Sequence, residues 1–317
     1  MVHSVHAYSV VNSSVSDLEI DGDSVAVEIW IDRDSRRNEV DKRTSVVARS
    51  FRWRHGRVRV HVHRQHVGIY GQWMATWRPR GASTGETTLL LEDDLIISPF
   101  AYRWLRAASR FYADRHDLAG FTLQSEGLIR ATSAAPFTPP SAADGAAFLY
   151  ALMGSWGFAP RADVWIGFQN WYAGVTAGGR KTLRPVVPGL IMSKWYEDFE
   201  RAKKAHTMWT MWFIYYCSQV REQLYTLYNN VHSIAAGLDP ATDGLYICVN
   251  RREPGLHFDN RPIGDASQTL LRTWRPEFAQ FRRTPRVFNY AGKQIHVTAN
   301  KSSVDSASAY FNRSVHA

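Results

Sequence analysis

Residues Thr87–Leu91 read Thr-Thr-Leu-Leu-Leu, and Glu92, Asp93 and Asp94 follow at once. A short apolar run of this kind suits a strand at the centre of a mainly parallel sheet, covered on both faces. Three consecutive carboxylates at its end repel one another and cost stability unless something compensates them. Ser98 and Pro99 come next, a side-chain cap and then a residue whose missing N–H a helix start does not need. The stretch therefore imposes a local order of strand, acidic turn and helix, the helix running to about Tyr112. Two readings of the turn stay open. One is a solvated turn whose acids favour the helix N-terminus. The other is a site for Mn²⁺ or Mg²⁺, hard ions that take oxygen ligands, usually one or two carboxylates plus substrate phosphates.

The rest of the first half repeats that alternation. Val25–Ile31 (VAVEIWI) alternates as a strand and ends on Asp32. A polar helix is expected over residues 40–51, a strand over 57–63, and a helix over 66–77 with Ile69, Trp73 and Trp77 on one face. A further strand covers 118–123, and residues 131–144 form a loop rich in Pro, Ser and Ala. Beyond it come the Gly154-Ser155-Trp156-Gly157 turn, a helix over 162–172, a Gly-rich basic loop over 174–184 and an aromatic cluster over 195–216 that ends helical. Residues 224–228 and 245–250 read as a pair of strands. Alternating strands and helices argue an α/β sheet, whose ligands collect beyond the carboxyl ends of the strands. Asp32 and the Glu92-Asp93-Asp94 trio both fall at such ends.

The net charge of +9 favours polyanionic partners in general. The arginines are spread along the chain, however, and no zinc-finger, leucine-zipper or RNA-recognition spacing occurs, so no nucleic-acid partner is expected. Cys217 and Cys248 lie in apolar segments and imply buried thiols, not a disulfide framework. No apolar run is long enough to span a bilayer, and the first residues lack a signal-peptide pattern. Gly174 and Gly179 have phosphate-loop spacing, but Arg180-Lys181 follows where that motif needs Lys and then Ser or Thr. His61, His63 and His66 invite a zinc reading, although no cysteine or acid nearby in sequence completes the set.

The segment TTLLLEDDLIISPFAYRWL resembles the acidic motif of GT-A glycosyltransferases, in particular those similar to the N-acetylglucosaminyltransferase that starts complex N-glycans. The resemblance extends more loosely from about Val25 to His257. It implies an α/β fold of the GT-A (nucleotide-diphospho-sugar transferase) type, with a mainly parallel central sheet flanked by helices and a smaller C-terminal strand pair. It also implies a nucleotide-sugar donor, a UDP-sugar by this likeness, and a glycan or glycoconjugate acceptor. Asp32 takes the place of the acid that contacts the uridine. Glu92 and Asp93 take those that serve the ribose and metal-bound water, and Asp94 that of the direct metal ligand. His257 in REPGLHF resembles the histidine that completes the metal shell in several such families, and a packed or surface histidine is its other reading. Trp156 in the GSWG turn is similar to an acceptor-stacking tryptophan, with core packing as the alternative. Glu253 and Arg252 would meet the acceptor or the diphosphate, and Arg180 and Lys181 would add positive charge there.

Two departures qualify the resemblance. Residues 1–16 are Ser-rich and do not read as the first, nucleotide-gripping strand, so that strand is expected to be missing and the segment disordered. The inverting relatives also place a catalytic acid in a Trp-Asp-Asp-Trp helix start. The counterpart here is Trp209-Thr210-Met211-Trp212, which has no carboxylate. Glu197 and Asp198, in KWYEDFE, are the substitute bases, and a solvated helix face is their other reading. The expected organisation is a nucleotide-sugar-binding half over residues 17–125, an acceptor-binding half over 126–300 and a disordered tail over 301–317. As read, the chain is soluble; a preceding anchor would place it in the Golgi lumen. A non-catalytic nucleotide- or carbohydrate-binding member of the same fold is the rival expectation.

Overall fold

In the computed structural model, residues 3–8, 17–82, 86–92, 95–124, 128–137, 147–177, 183–229, 246–248 and 274–296 are described. Strand β1 is His3–Tyr8 and β2 is Val25–Ile31. Val25, Val27, Ile29 and Ile31 are buried while Ala26, Glu28 and Trp30 are half-buried, the alternation that period-two side chains require. Helix α1, Lys42–Ser50, starts where the Asp41 carboxylate accepts the Thr44 N–H at 2.7 Å. Strand β3, Val58–Val62, helix α2, Gly68–Ala75, strand β4, Thr87–Leu91, and strand β5, Leu95–Ile97, follow. Helix α3, Ala101–Phe111, begins slightly later than the Ser-Pro signal predicts. Ser98 still organises its start, accepting the Phe100 N–H on Oγ (3.1 Å) and the Ala101 N–H on its carbonyl (3.0 Å).

The second half contributes β6, Leu118–Thr122, β7, Phe148–Tyr150, and β8, Phe158–Pro160, all fully buried. Helices α4, Ala162–Val175, α5, Ile191–Arg201, and α6, Thr210–Tyr215, come next, and α6 runs on into a wider π turn over Tyr216–Val220. The chain then adds β9, Tyr225–Tyr228, β10, Tyr246–Cys248, β11, Val287–Phe288, and β12, Gln294–Ile295. No helix among the described residues is long and apolar enough to cross a membrane.

Ten of these strands form one sheet in the order β12-β11-β7-β9-β6-β8-β4-β1-β2-β3. Three expectations are corrected by it. The first strand is not missing: His3–Tyr8 lies between β2 and β4, parallel to both. The Ser-rich sequence hides it because an interior strand needs only a fit to its neighbours on either side, not a strong propensity of its own. The sheet is also mixed, not mainly parallel. The β3-β2-β1-β4 half is parallel throughout, whereas β8 runs antiparallel to both β4 and β6, and β7 antiparallel to β9. Finally, the expected C-terminal strand pair does not form. β9 joins the main sheet between β6 and β7, and β10 pairs antiparallel with β5.

Successive leucines of β4 feed two different cores. Leu89 and Leu91 join a cluster with β2 and α3, including Trp104 and Leu105. Leu90 points to the other face, into a cluster built from Trp73, Trp165, Phe168, Trp209 and Trp212. The chain's high tryptophan content is thus largely core filling. Gly120 in β6 sits where a side chain cannot: a Cβ there would meet the Ala159 carbonyl oxygen at 2.6 Å.

Residues 17–24 are fastened across α3. Leu18 and Ile20 are buried, the Glu19 N–H donates to the Pro99 carbonyl (2.8 Å), and Arg103 reaches Glu19 (2.8 Å) and Asp21 (2.5 Å). Arg103 holds the Asp21 carboxyl below its ordinary range, chiefly by direct hydrogen bonding. A carboxyl with a depressed folded-state pKa stabilises the fold above its unfolded value of about 3.9 and loses that contribution as pH falls through the folded value. Arg103→Ala should therefore lower the urea midpoint at pH 7, and the gap from wild type should narrow at pH 3. Urea titrations at the two pH values check the sign.

Candidate functional site

The parallel half has the strand order 3-2-1-4, so the chain reverses its direction of travel across the sheet between β1 and β4. At such a switch point the loops leaving neighbouring strands diverge and open a crevice at the carboxyl edge. Asp32 leaves β2 and Glu92 leaves β4, one on either side of β1. The two acids singled out in sequence, sixty positions apart, thus share one edge of the sheet.

Asp32 Oδ1 accepts the Val67 N–H at 2.9 Å and its Oδ2 the Gly68 N–H at 2.8 Å. The His66 ring contributes Nδ1 at 3.0 Å from Oδ2 and 2.6 Å from the Arg33 carbonyl. Gly68 has φ of +62°, a conformation that favours glycine, and it opens α2. Asp32 therefore joins the end of β2 to the start of α2. A carboxylate offers about four lone-pair positions, so this role leaves room for a ligand contact.

Glu92 accepts the Trp73 indole N–H at 3.3 Å. Trp73, on α2, stacks on Trp209 with ring centroids 4.2 Å apart and planes 26° apart, and Trp165 meets Trp209 edge-on at 6.2 Å. Trp209 caps α6, so the Trp209-Thr210-Met211-Trp212 helix start is packed against the side chain that contacts the first carboxylate of the trio. Sequence reasoning missed Trp73 as a site residue. Its place on the apolar face of a helix was visible, but nothing in that spacing marks an indole N–H aimed at an acid. Trp77 is buried as that face predicts, whereas Ile69 is exposed.

The remaining candidates divide into three groups. Trp156 lies on the same edge. β8 runs antiparallel to β4 with Phe158 opposite Leu90, so the turn just before Phe158 sits beyond the carboxyl end of β4. Trp156 is half-buried against the core, and its carbonyl accepts the Thr122 hydroxyl at 3.2 Å. Gly157 has φ of +65°, and a Cβ at Gly154 would meet Thr122 and Gln124 side-chain oxygens at 2.8 Å, so both glycines are needed for this turn. Glu197 and Asp198 occupy the outer side of α5, opposite buried Met192, Ser193 and Tyr196. Asp198 pairs with Arg201, and Glu197 lies 3.9 Å from Arg184. Asp93, Asp94, Arg180, Lys181, Arg252, Glu253 and His257 lie outside the described residues. β10 sets Cys248 opposite Leu95.

The three histidines do not converge. His61 Nε2 lies 2.5 Å from Glu28, His63 Nε2 lies 2.8 Å from Gln72 in the core, and His66 faces Asp32. No group of three or more His, Cys, Asp or Glu side chains that could hold a metal occurs among the described residues. Cys217 is buried, and desolvation pushes its thiol well above the ordinary range. Burial likewise raises the Tyr196 phenol to about 12.

No protein-family profile matches the chain, and no curated protein matches it. Among solved structures it is similar to a glycosyltransferase, S. aureus TarS 1–349, with 13% identity and a TM-score of 0.34. That likeness covers 51% of this chain and 47% of TarS 1–349, about half the length of each.

The Asp32 geometry sets a stability expectation. Asp32→Ala leaves two part-buried backbone N–H groups without their acceptor and should cost roughly 1–3 kcal/mol. Asp32→Asn keeps one side-chain oxygen and should cost less. Equal losses in chemical denaturation would show that charge, not acceptor geometry, is what this corner needs.

Proposed function

We propose that the chain is a glycosyltransferase that moves a sugar from a nucleotide-sugar donor, a UDP-sugar, to an acceptor hydroxyl. The observation that carries this reading is the pair of acidic strand ends flanking a switch point, with Asp32 after β2 and Glu92 after β4. The donor diphosphate would occupy the crevice over β1, with Asp32, Glu92 and Asp93 on the nucleoside side. A carboxylate-led set fits a hard divalent ion, Mn²⁺ or Mg²⁺, which asks the protein for only one or two carboxylates. Asp94 would hold it, with His257 arriving from the chain beyond β10. When bound, the ion supplies neutralisation of the charge that grows on the leaving diphosphate.

The chain's own residues orient and select. Trp73 fixes the Glu92 carboxylate through its indole N–H, and Asp32 fixes the β2–α2 corner against which a nucleoside would lie. Trp156 offers an aromatic surface on the acceptor side, with Glu253 as a polar partner. If transfer inverts the anomeric carbon, the acceptor hydroxyl gives its proton to Glu197 or Asp198. Either residue must first give up its arginine partner.

A second reading has its own observation. The Trp209–Trp212 helix start lies next to the Trp73–Glu92 contact and carries no carboxylate, as in a non-catalytic nucleotide- or carbohydrate-binding protein of the same architecture. UDP release from a panel of UDP-sugars, with Mn²⁺ and with chelator, separates the two. Turnover should require the metal and fall on the order of 10- to 100-fold or more in Asp94→Asn. Absence of turnover, with calorimetric UDP–Mn²⁺ binding that Asp94→Asn abolishes, would establish the binder. A wild type that neither turns over nor binds UDP would remove both readings.

A further inference from the structure

A second concavity lies on a face of the sheet that the carboxyl-edge site does not use. An open cleft of about 240 Å³ is lined by Glu28 and Trp30 of β2, His61 of β3, Arg57 just before β3, and Trp77 and Arg78 beyond α2. Its β2 residues belong to the half-exposed set, opposite the buried Val25, Val27, Ile29 and Ile31. It extends toward Arg57 and Glu86, which precede β3 and β4, and so toward the amino ends of the strands, away from Asp32 and Glu92.

The charges in this cleft do not balance. Glu28, with its side chain only 12% exposed, is answered by Arg59 at 3.9 Å and lies 2.5 Å from His61 Nε2. Glu86 is answered by Arg80 at 3.7 Å. Arg57 and Arg78 are both exposed, and among the described residues neither has a carboxylate within ion-pair distance. Two uncompensated guanidinium groups suit a dianion, and a phosphate monoester carries about −1.5 to −2 charges at neutral pH. Beside them the Trp30 and His61 rings stack face to face, 4.1 Å apart with planes 15° apart, and Glu28 fixes the imidazole. The outer face of such a stack suits the apolar face of a sugar ring. The volume falls below the roughly 300–1,000 Å³ of sites for larger ligands, which limits the occupant to a single ring.

We propose that this cleft is an accessory binding site for a phosphorylated monosaccharide. Arg57 and Arg78 hold its phosphate, and its ring lies against an outer face of the Trp30–His61 stack. The site is separate from the carboxyl edge and does not depend on the reading given to that edge.

Equilibrium dialysis of the full chain with labelled glucose 6-phosphate tests it, with unlabelled glucose and inorganic phosphate as competitors. Saturable binding of one ligand per chain is expected. The Arg57→Ala/Arg78→Ala double variant should weaken it by about tenfold or more, while Asp94→Asn leaves it unchanged. Glucose should not compete, and inorganic phosphate should compete about tenfold less well than the sugar phosphate. Both arginines are exposed, and circular dichroism checks that the double variant folds; if it does not, Arg78→Ala alone carries the comparison. Any of four results would overturn the proposal: no saturable binding to wild type, unchanged affinity in the arginine variants, loss of binding in Asp94→Asn, or inorganic phosphate competing as well as glucose 6-phosphate.

Discussion

The architecture depends on β4 being buried on both faces while its carboxyl end carries charge. Leu89 and Leu91 face one core, Leu90 the other, and the chain turns acidic at the next residue. A strand with no solvent face must have sheet neighbours on both sides and apolar layers above and below it. β1 and β8 are those neighbours, one parallel and one antiparallel. The parallel side forms the switch point. The antiparallel side swings the Trp156 turn to the same edge, because a strand running opposite to β4 must begin where β4 ends. One buried strand thus sets both the acidic and the aromatic side of the crevice.

The tryptophan-rich core holds the second half against that strand. Trp165, Trp209 and Trp212 are buried together, and Gln169 secures them by donating to the Met74 and Trp77 carbonyls at 2.7 and 2.9 Å. These bonds satisfy backbone oxygens at the end of α2, where helix carbonyls lack partners of their own. Core packing and site geometry are therefore coupled: the layer that buries Leu90 also presents the Trp73 N–H to Glu92.

The sequence revealed what local pattern controls. Val25–Ile31 and Thr87–Leu91 are strands over the stated residues because alternation and uninterrupted apolarity are read within a single strand. It concealed what pairing controls. His3–Tyr8 has no strong pattern of its own and becomes a strand between two better ones. Residues 225–228 and 246–248 were recognisable as strands, yet their partners are β6, β7 and β5, a matter of tertiary register. The same limit applied to the site. Asp32 and Glu92 were legible as strand-end acids because carboxylates at strand ends have a one-dimensional signature. The Glu28–His61 and Trp73–Glu92 contacts join different elements and have none.

The absence of a carboxylate from the Trp209–Trp212 helix start follows from the way that start is packed. Trp209, Met211 and Trp212 are at most 2% exposed, each inside the cluster that covers Leu90. An acid at position 211 would have to be desolvated in an apolar layer, a cost it would meet by staying protonated and so losing its value as a base. Thr210 alone among the four residues is half-buried. The core that fixes Glu92 through Trp73 therefore leaves no place for a charged side chain at position 211.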